Sequence, residues 1–141
     1  MLPTWDIAHP YALLYHTSTL SRRFGVLMEN AMGGKCEPIP IVLYIDEVVP
    51  GNPMRHDKGR TLQAIYWIIS AWPQYILKRT EAWFTFAVLQ SRIAAQLPGG
   101  IAALFPIVLK VFMPEGTPHI TLIVHKAKES IAAPLSMHGF I

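Results

Sequence analysis

Asp46 and Glu47 are the residues whose placement most invites chemistry. They close an apolar run, Ile39 to Ile45, in a chain with only 9 acidic residues. A carboxylate on an otherwise apolar strand must be solvated at the strand's end, paired, or bound to a cation. In the last case, several carboxylates sharing Mg²⁺ ions could direct water or a hydroxyl at a phosphodiester. That chemistry needs at least two more acids from later elements. The aspartates are Asp6, Asp46 and Asp57, and past the third apolar segment only Glu115 and Glu129 remain. Glu115 lies in a Pro-Glu-Gly turn and Glu129 follows the last clear strand pattern. Asp46 is therefore a vestigial catalytic or metal-ligating candidate, and the entrance to a capped loop is the commoner role for such a residue. No resident cofactor is expected; Mg²⁺ would enter only if another chain or segment supplied an acidic partner.

A second cluster, Arg55, His56, Lys58 and Arg60, is balanced only by Asp57. These residues could touch a nucleic-acid backbone, although a solvated loop is where charged residues ordinarily go. The 4 tryptophans and 5 tyrosines could stack on single-stranded bases. Trp67 and Trp83, however, lie inside apolar segments, where core packing is the ordinary explanation. No two histidines are spaced as a ligand pair with a third partner nearby, so zinc is not expected. There is no glycine-rich phosphate loop and no Ser/His/Asp or Cys/His set at supporting spacing.

These residues must be positioned by the elements around them. Ile41 to Val48 and Leu62 to Ile69 read as strands buried on both faces, joined by a loop rich in turn residues, Pro50-Gly51 and Asn52-Pro53. Pro38 and Pro40 place the start of the regular ladder at Ile41. Upstream, Pro10 to Gly33 reads as one amphipathic helix with Leu13, Leu20, Phe24, Leu27 and Met28 on its apolar face, ended by Gly33-Gly34. Gln74 to Thr80 reads as a connector or short helical turn, and Trp83 to Leu89 has strand composition. Ser91 to Leu97 suggests another helical turn. Ile101, Leu104, Phe105, Val108, Leu109 and Phe112 then share a helical face, where Pro106 demands a late start or a kink. His119 to His125 alternates as a last strand, and residues 127–141 read as a tail.

The chain has 141 residues, enough for one domain with a substantial core. It is 52% hydrophobic and 15% charged, against a usual charged share of about 25%. The charge of +3 permits polyanion binding without arguing for it. One cysteine, Cys36, excludes an internal disulfide and fits a reducing compartment. There is no signal-peptide pattern, and the most apolar window, Ile101 to Met113, is too short to span a bilayer. An intracellular protein without a membrane span is expected.

The stretch Leu43-Tyr44-Ile45-Asp46-Glu47-Val48-Val49-Pro50-Gly51-Asn52-Pro53-Met54-Arg55, with Arg60 and Tyr66-Trp67, resembles a large family of uncharacterised proteins abundant in dinoflagellate genomes. Ala82-Trp83-Phe84-Thr85-Phe86 and Leu97-Pro98-Gly99-Gly100 are similar to later blocks of that family, so the resemblance covers roughly Pro38 to Met113. Those proteins in turn resemble relatives or remnants of transposon-derived, RNase H-like (DDE-type) transposases, which carry an aspartate near the middle of a first central strand. The resemblance carries Asp46 over as that acid but not its partners, because longer members continue into an acid- and cysteine-bearing segment and Ser130 to Ile141 has no acid. It thus implies similarity to the amino-terminal part only, and a nuclear location.

The expected fold is α+β: a partial RNase H-like domain over 38–126, with a mostly antiparallel sheet, helices on its faces and one late strand beside the first. A helical segment, 1–37, precedes it and a tail, 127–141, follows. The expected function is that of a truncated transposase-like protein without cleavage activity. The alternative is a small non-catalytic protein-interaction module, cytoplasmic rather than nuclear. Self-association through an exposed sheet edge near Ile120 to Val124 is expected of a truncated fragment unless a partner or a further segment covers it, whereas a stable monomer would favour the alternative.

Overall fold

The segment from Leu62 to Ile69 carries amide or hydroxyl side chains only at Gln63 and Tyr66, so it is placed at the centre of a layer. The computed structural model describes residues 6–33, 39–50, 60–113, 120–126 and 129–137. Three strands, β1 (Ile39–Val48), β2 (Leu62–Ile69) and β3 (Phe84–Gln90), form an antiparallel meander with β2 in the middle. Two more, β4 (Ile120–Lys126) and β5 (Glu129–Met137), form an antiparallel pair, and β5 runs parallel to β1 at Ile39 to Ile41. The result is a five-stranded sheet in the order β3-β2-β1-β5-β4. The class is α+β.

The late strand beside β1 is β5, which lies in the stretch read as a tail; the strand at Ile120 takes the outer edge instead. Pro134 and the small residues Ser130, Ala132 and Ala133 hide the alternation of β5, yet Thr121 pairs with Pro134 in the ladder. Glu129 accordingly opens a strand rather than following the last one.

Pro40 also lies inside a strand, because β1 begins at Ile39. It has no N–H to donate, but its carbonyl accepts from the Ser70 N–H at 3.0 Å and from the Ser70 hydroxyl at 3.3 Å. The burial of β1 on both sides, expected from its apolar run, does not extend to its second half. There Tyr44 is 50% exposed, and Asp46 and Glu47 are exposed.

The amino-terminal helix is two helices, α1 (Pro10–Leu20) and α2 (Arg22–Met32). The hydroxyls of Thr17, Ser18 and Thr19 donate to the carbonyls of Leu13, Tyr15 and His16, a competition with the helix that favours its ending. Ser21 then turns extended, and its Oγ accepts from the Phe24 N–H at 3.3 Å, capping α2. The break rotates the two apolar stripes relative to each other. Leu20 is 74% exposed rather than on the packed face, while Leu14, Met28 and Met32 are buried. Gly33, at φ 59°, ends α2 in the left-handed conformation that glycine adopts without strain.

Short helices α3 (Gln74–Leu77) and α4 (Ser91–Ala94) flank β3. A 3₁₀ turn, Gly100–Leu104, leads into α5 (Phe105–Phe112). The late start places Pro106 in the first turn, where its missing N–H is not needed. Leu104, Val108 and Phe112 are buried, whereas Phe105 is 42% exposed and leaves the face assigned to it. Among the described residues, no helix is long and apolar enough to cross a membrane.

Leu14 from α1, Met28 and Met32 from α2, and Val108 and Phe112 from α5 share one core with Ile41, Ile65, Trp67 and Phe86 of the sheet. A smaller cluster, Leu89, Ala94 and Leu104, closes the end near α4. The Tyr11 hydroxyl donates to the Phe112 carbonyl, tying α1 to the carboxyl end of α5, where helix carbonyls lack partners. Burial pushes the Tyr11 phenol up to about 12 from its ordinary 10.0. A raised folded-state value means that the contribution is complete below the unfolded value and is lost as pH rises toward the folded one. Tyr11→Phe is therefore expected to lower unfolding free energy by about 1 kcal/mol at neutral pH. The wild-type advantage should shrink between pH 10 and about 12, as checked by denaturant melts of both proteins across that range.

Candidate functional site

Strand alternation decides which residues of β1 meet the helices. Ile39, Ile41, Leu43 and Ile45 belong to one face, with Ile39 and Ile41 fully buried; Val42, Tyr44 and Asp46 belong to the other. The register continues this second face across the meander. Tyr44 stands opposite Tyr66, which stands opposite Thr85; Asp46 stands opposite Ala64, which stands opposite Val88. The helices bury their apolar residues against the first face. On the second, Ala64 and Ile68 are buried as well, whereas Tyr44 and Val88 remain 50% and 46% exposed.

An open groove of about 510 Å³ lies on this second face, lined by Tyr44, Asp46, Tyr66, Thr80, Trp83 and Thr85. Its far wall comes from the 3₁₀ turn Thr80–Ala82, which delivers Trp83 to the start of β3. The Tyr44 and Trp83 rings lie 6.1 Å apart between centroids and are inclined at 61°. Among the described lining residues Asp46 is the one carboxylate, and none is a lysine or arginine. Asp46 Oδ1 accepts from the Glu47 N–H at 2.8 Å, a local bond that turns the carboxylate back along its own strand.

The adjacent acids do not act together. Glu47 falls on the opposite side of the strand, where its Oε2 accepts from Gln63 Nε2 at 3.3 Å; that amide also lies 3.2 Å from Ser91 Oγ. Neighbouring strand residues point to opposite faces, so the sequence-adjacent pair is divided by the sheet. Asp46 is the eighth residue of the ten in β1, near the strand's end rather than its middle.

Arg60 is exposed just before β2 and does not line the groove. Arg55, His56, Lys58, Cys36 and Glu115 lie outside the described residues. Among those described, no three His, Cys, Asp or Glu side chains come together as a metal site. Trp67 is fully buried and unavailable for stacking on a ligand, whereas Trp83 is only partly buried.

Reading each aromatic as core missed the groove. Tyr44 and Asp46 share parity along β1, and pairing that parity with Tyr66 through the β1–β2 hairpin would have marked a polar and aromatic face. A second hollow, of about 590 Å³, lies between α2 and α3 and is lined by Arg23, Phe24, Val26, Leu27, Asn30, Tyr75 and Ile76. Among its described lining residues there is no carboxylate.

Comparison with protein-family models, with curated proteins and with solved structures finds no match to this chain. The resemblance to transposase-like proteins is neither supported nor contradicted by a relative.

If Asp46 is not part of a metal centre, purified protein with Mg²⁺ or Mn²⁺ should leave DNA uncut. Asp46→Asn should also alter unfolding free energy by no more than about 0.5 kcal/mol, as for an ordinary exposed position. Metal-dependent cutting that disappears in Asp46→Asn would contradict this.

Proposed function

We propose that this chain is a small protein-interaction module that docks its partners on the groove-bearing face of the β1–β2–β3 meander. The observation that supports this reading is the uneven packing of the sheet: the second face buries Ala64 and Ile68 but leaves Tyr44 and Val88 about half exposed. The helices pack against the face bearing Trp67 and Phe86, and the opposite face presents a groove with exposed aromatic and apolar residues. Aromatic side chains in a partly formed hollow are the usual anchors of protein interfaces, because they bury a large area with few rotatable bonds. Asp46 then serves recognition, at a position where folding does not require it.

Descent from a mobile-element transposase with an RNase H-like core is the second reading. One observation favours it: β1, which carries Asp46, is the middle strand of five and has the late strand β5 on its far side. Nucleic-acid contacts and a nuclear location would accompany that reading, and a cytoplasmic location the first.

Photo-cross-linking tests the docking surface directly. A benzoylphenylalanine placed at Tyr44 or at Val88 should capture the same partner protein in cells. The same probe at Leu20, on the helical side, should not. Equal capture from all three positions, or capture from Leu20 alone, would reject the groove-bearing face as the docking surface.

A further inference from the structure

We infer that the groove between Tyr44 and Trp83 receives a methylated ammonium side chain from a partner polypeptide. This rests on the docking reading above and adds the chemistry of the occupant. Three observations converge on a cation. The faces of aromatic rings carry negative electrostatic potential, and Tyr44, Tyr66 and Trp83 place three such rings around one hollow. Asp46 adds a negative charge to the same lining, and among the described lining residues there is no lysine or arginine. The described lining therefore carries one negative charge, on a chain whose formal charge is +3.

Ring geometry separates this occupant from its rivals. A nucleobase or a sugar stacks on a flat platform, whereas the Tyr44 and Trp83 rings are inclined at 61° and form a corner. A compact, roughly spherical head fits a corner better than a plate does. Hydration then favours the methylated form over the free ammonium. A free ammonium is strongly hydrated and needs several acceptors when it leaves water. The described lining offers the Asp46 carboxylate and the hydroxyls of Tyr44, Tyr66, Thr80 and Thr85, but three of its six side chains are aromatic rings that offer a cation mainly apolar contact. Methyl groups spread the same charge over an apolar surface that aromatic rings can contact without hydrogen bonds.

The test uses the full chain, isotope-labelled, with choline chloride as the cationic probe and dimethylbutanol as its uncharged isostere. Choline should shift the backbone amide signals of Tyr44, Asp46, Trp83 and Thr85 in a saturable manner, while the alcohol at equal concentration should not. Asp46→Asn should weaken choline binding by roughly two- to thirtyfold, with spectra unchanged away from the groove. Trp83→Leu should weaken it as well, and Tyr75→Ala, in the hollow beside α2, should not. Equal shifts from the alcohol would mean an apolar site without charge selectivity and would overturn the inference. Shifts produced by adenosine or N-acetylglucosamine but not by choline would overturn it too, as would no response at all. If choline fails while cross-links at Tyr44 and Val88 still capture a common partner, the docking reading stands and the ammonium chemistry alone is wrong.

Discussion

Trp67 holds the structure's two halves together. It sits in β2 with no exposed surface, its ring 4.7 Å from Phe84 and 5.4 Å from Phe112 between centroids. Phe112 also meets Phe86 at 5.5 Å, so one ring from α5 is lodged against two strands. The arrangement has a cost, because the indole N–H groups of Trp67 and Trp72 are buried without a hydrogen-bond partner among the described residues. Each such group costs about 1–3 kcal/mol. Burying an indole removes about 150–250 Å² from water, which at about 25 cal/mol per Å² contributes roughly 4–6 kcal/mol. Burial outweighs the unpaired donor, and the tryptophans stay inside.

That cluster determines which side of the sheet the helices take. Trp67, Phe86 and Ile65 fix the apolar side, and the packed faces of α1, α2 and α5 are directed to it. On the opposite side, the turn that carries Thr80 and Trp83 lines the groove, and Ala64 and Ile68 are buried there too. The groove is thus a consequence of core packing: one face of the meander takes the helices, and strand parity places Tyr44, Tyr66 and Asp46 on the other. Parity also separates Asp46 from Glu47, which removes the paired-carboxylate chemistry that their adjacency in sequence suggests.

Much of the fold is legible in the sequence. The bounds of β2, the helical turn after Pro73, the strand through Phe86, and the late start forced by Pro106 all follow from local patterns of burial and backbone chemistry. The exceptions have physical causes. The break at Ser21 depends on hydroxyl groups that compete with helix carbonyls, and the apolar spacing from Leu13 to Met28 conceals it. Strand β5 is held by pairing to β4 and β1, and its small residues and Pro134 carry no intrinsic strand signal. The groove eluded a linear reading because its residues come from three strands and a turn, joined only by the register Tyr44–Tyr66–Thr85. Aromatic residues in apolar segments also read alike whether they face the core or water.

One measurement addresses the exposure of the groove-bearing face on which these conclusions rest. A soluble gadolinium chelate broadens NMR signals according to their access to solvent, and each strand supplies its own internal comparison. Along β3, the side-chain signals of Thr85 and Val88 should broaden strongly while those of Phe86 and Ala87 persist; in β1, Tyr44 should broaden while Ile41 persists. Equal protection of Thr85, Val88 and Tyr44 with the core residues would show that the second face is covered, and would contradict the account.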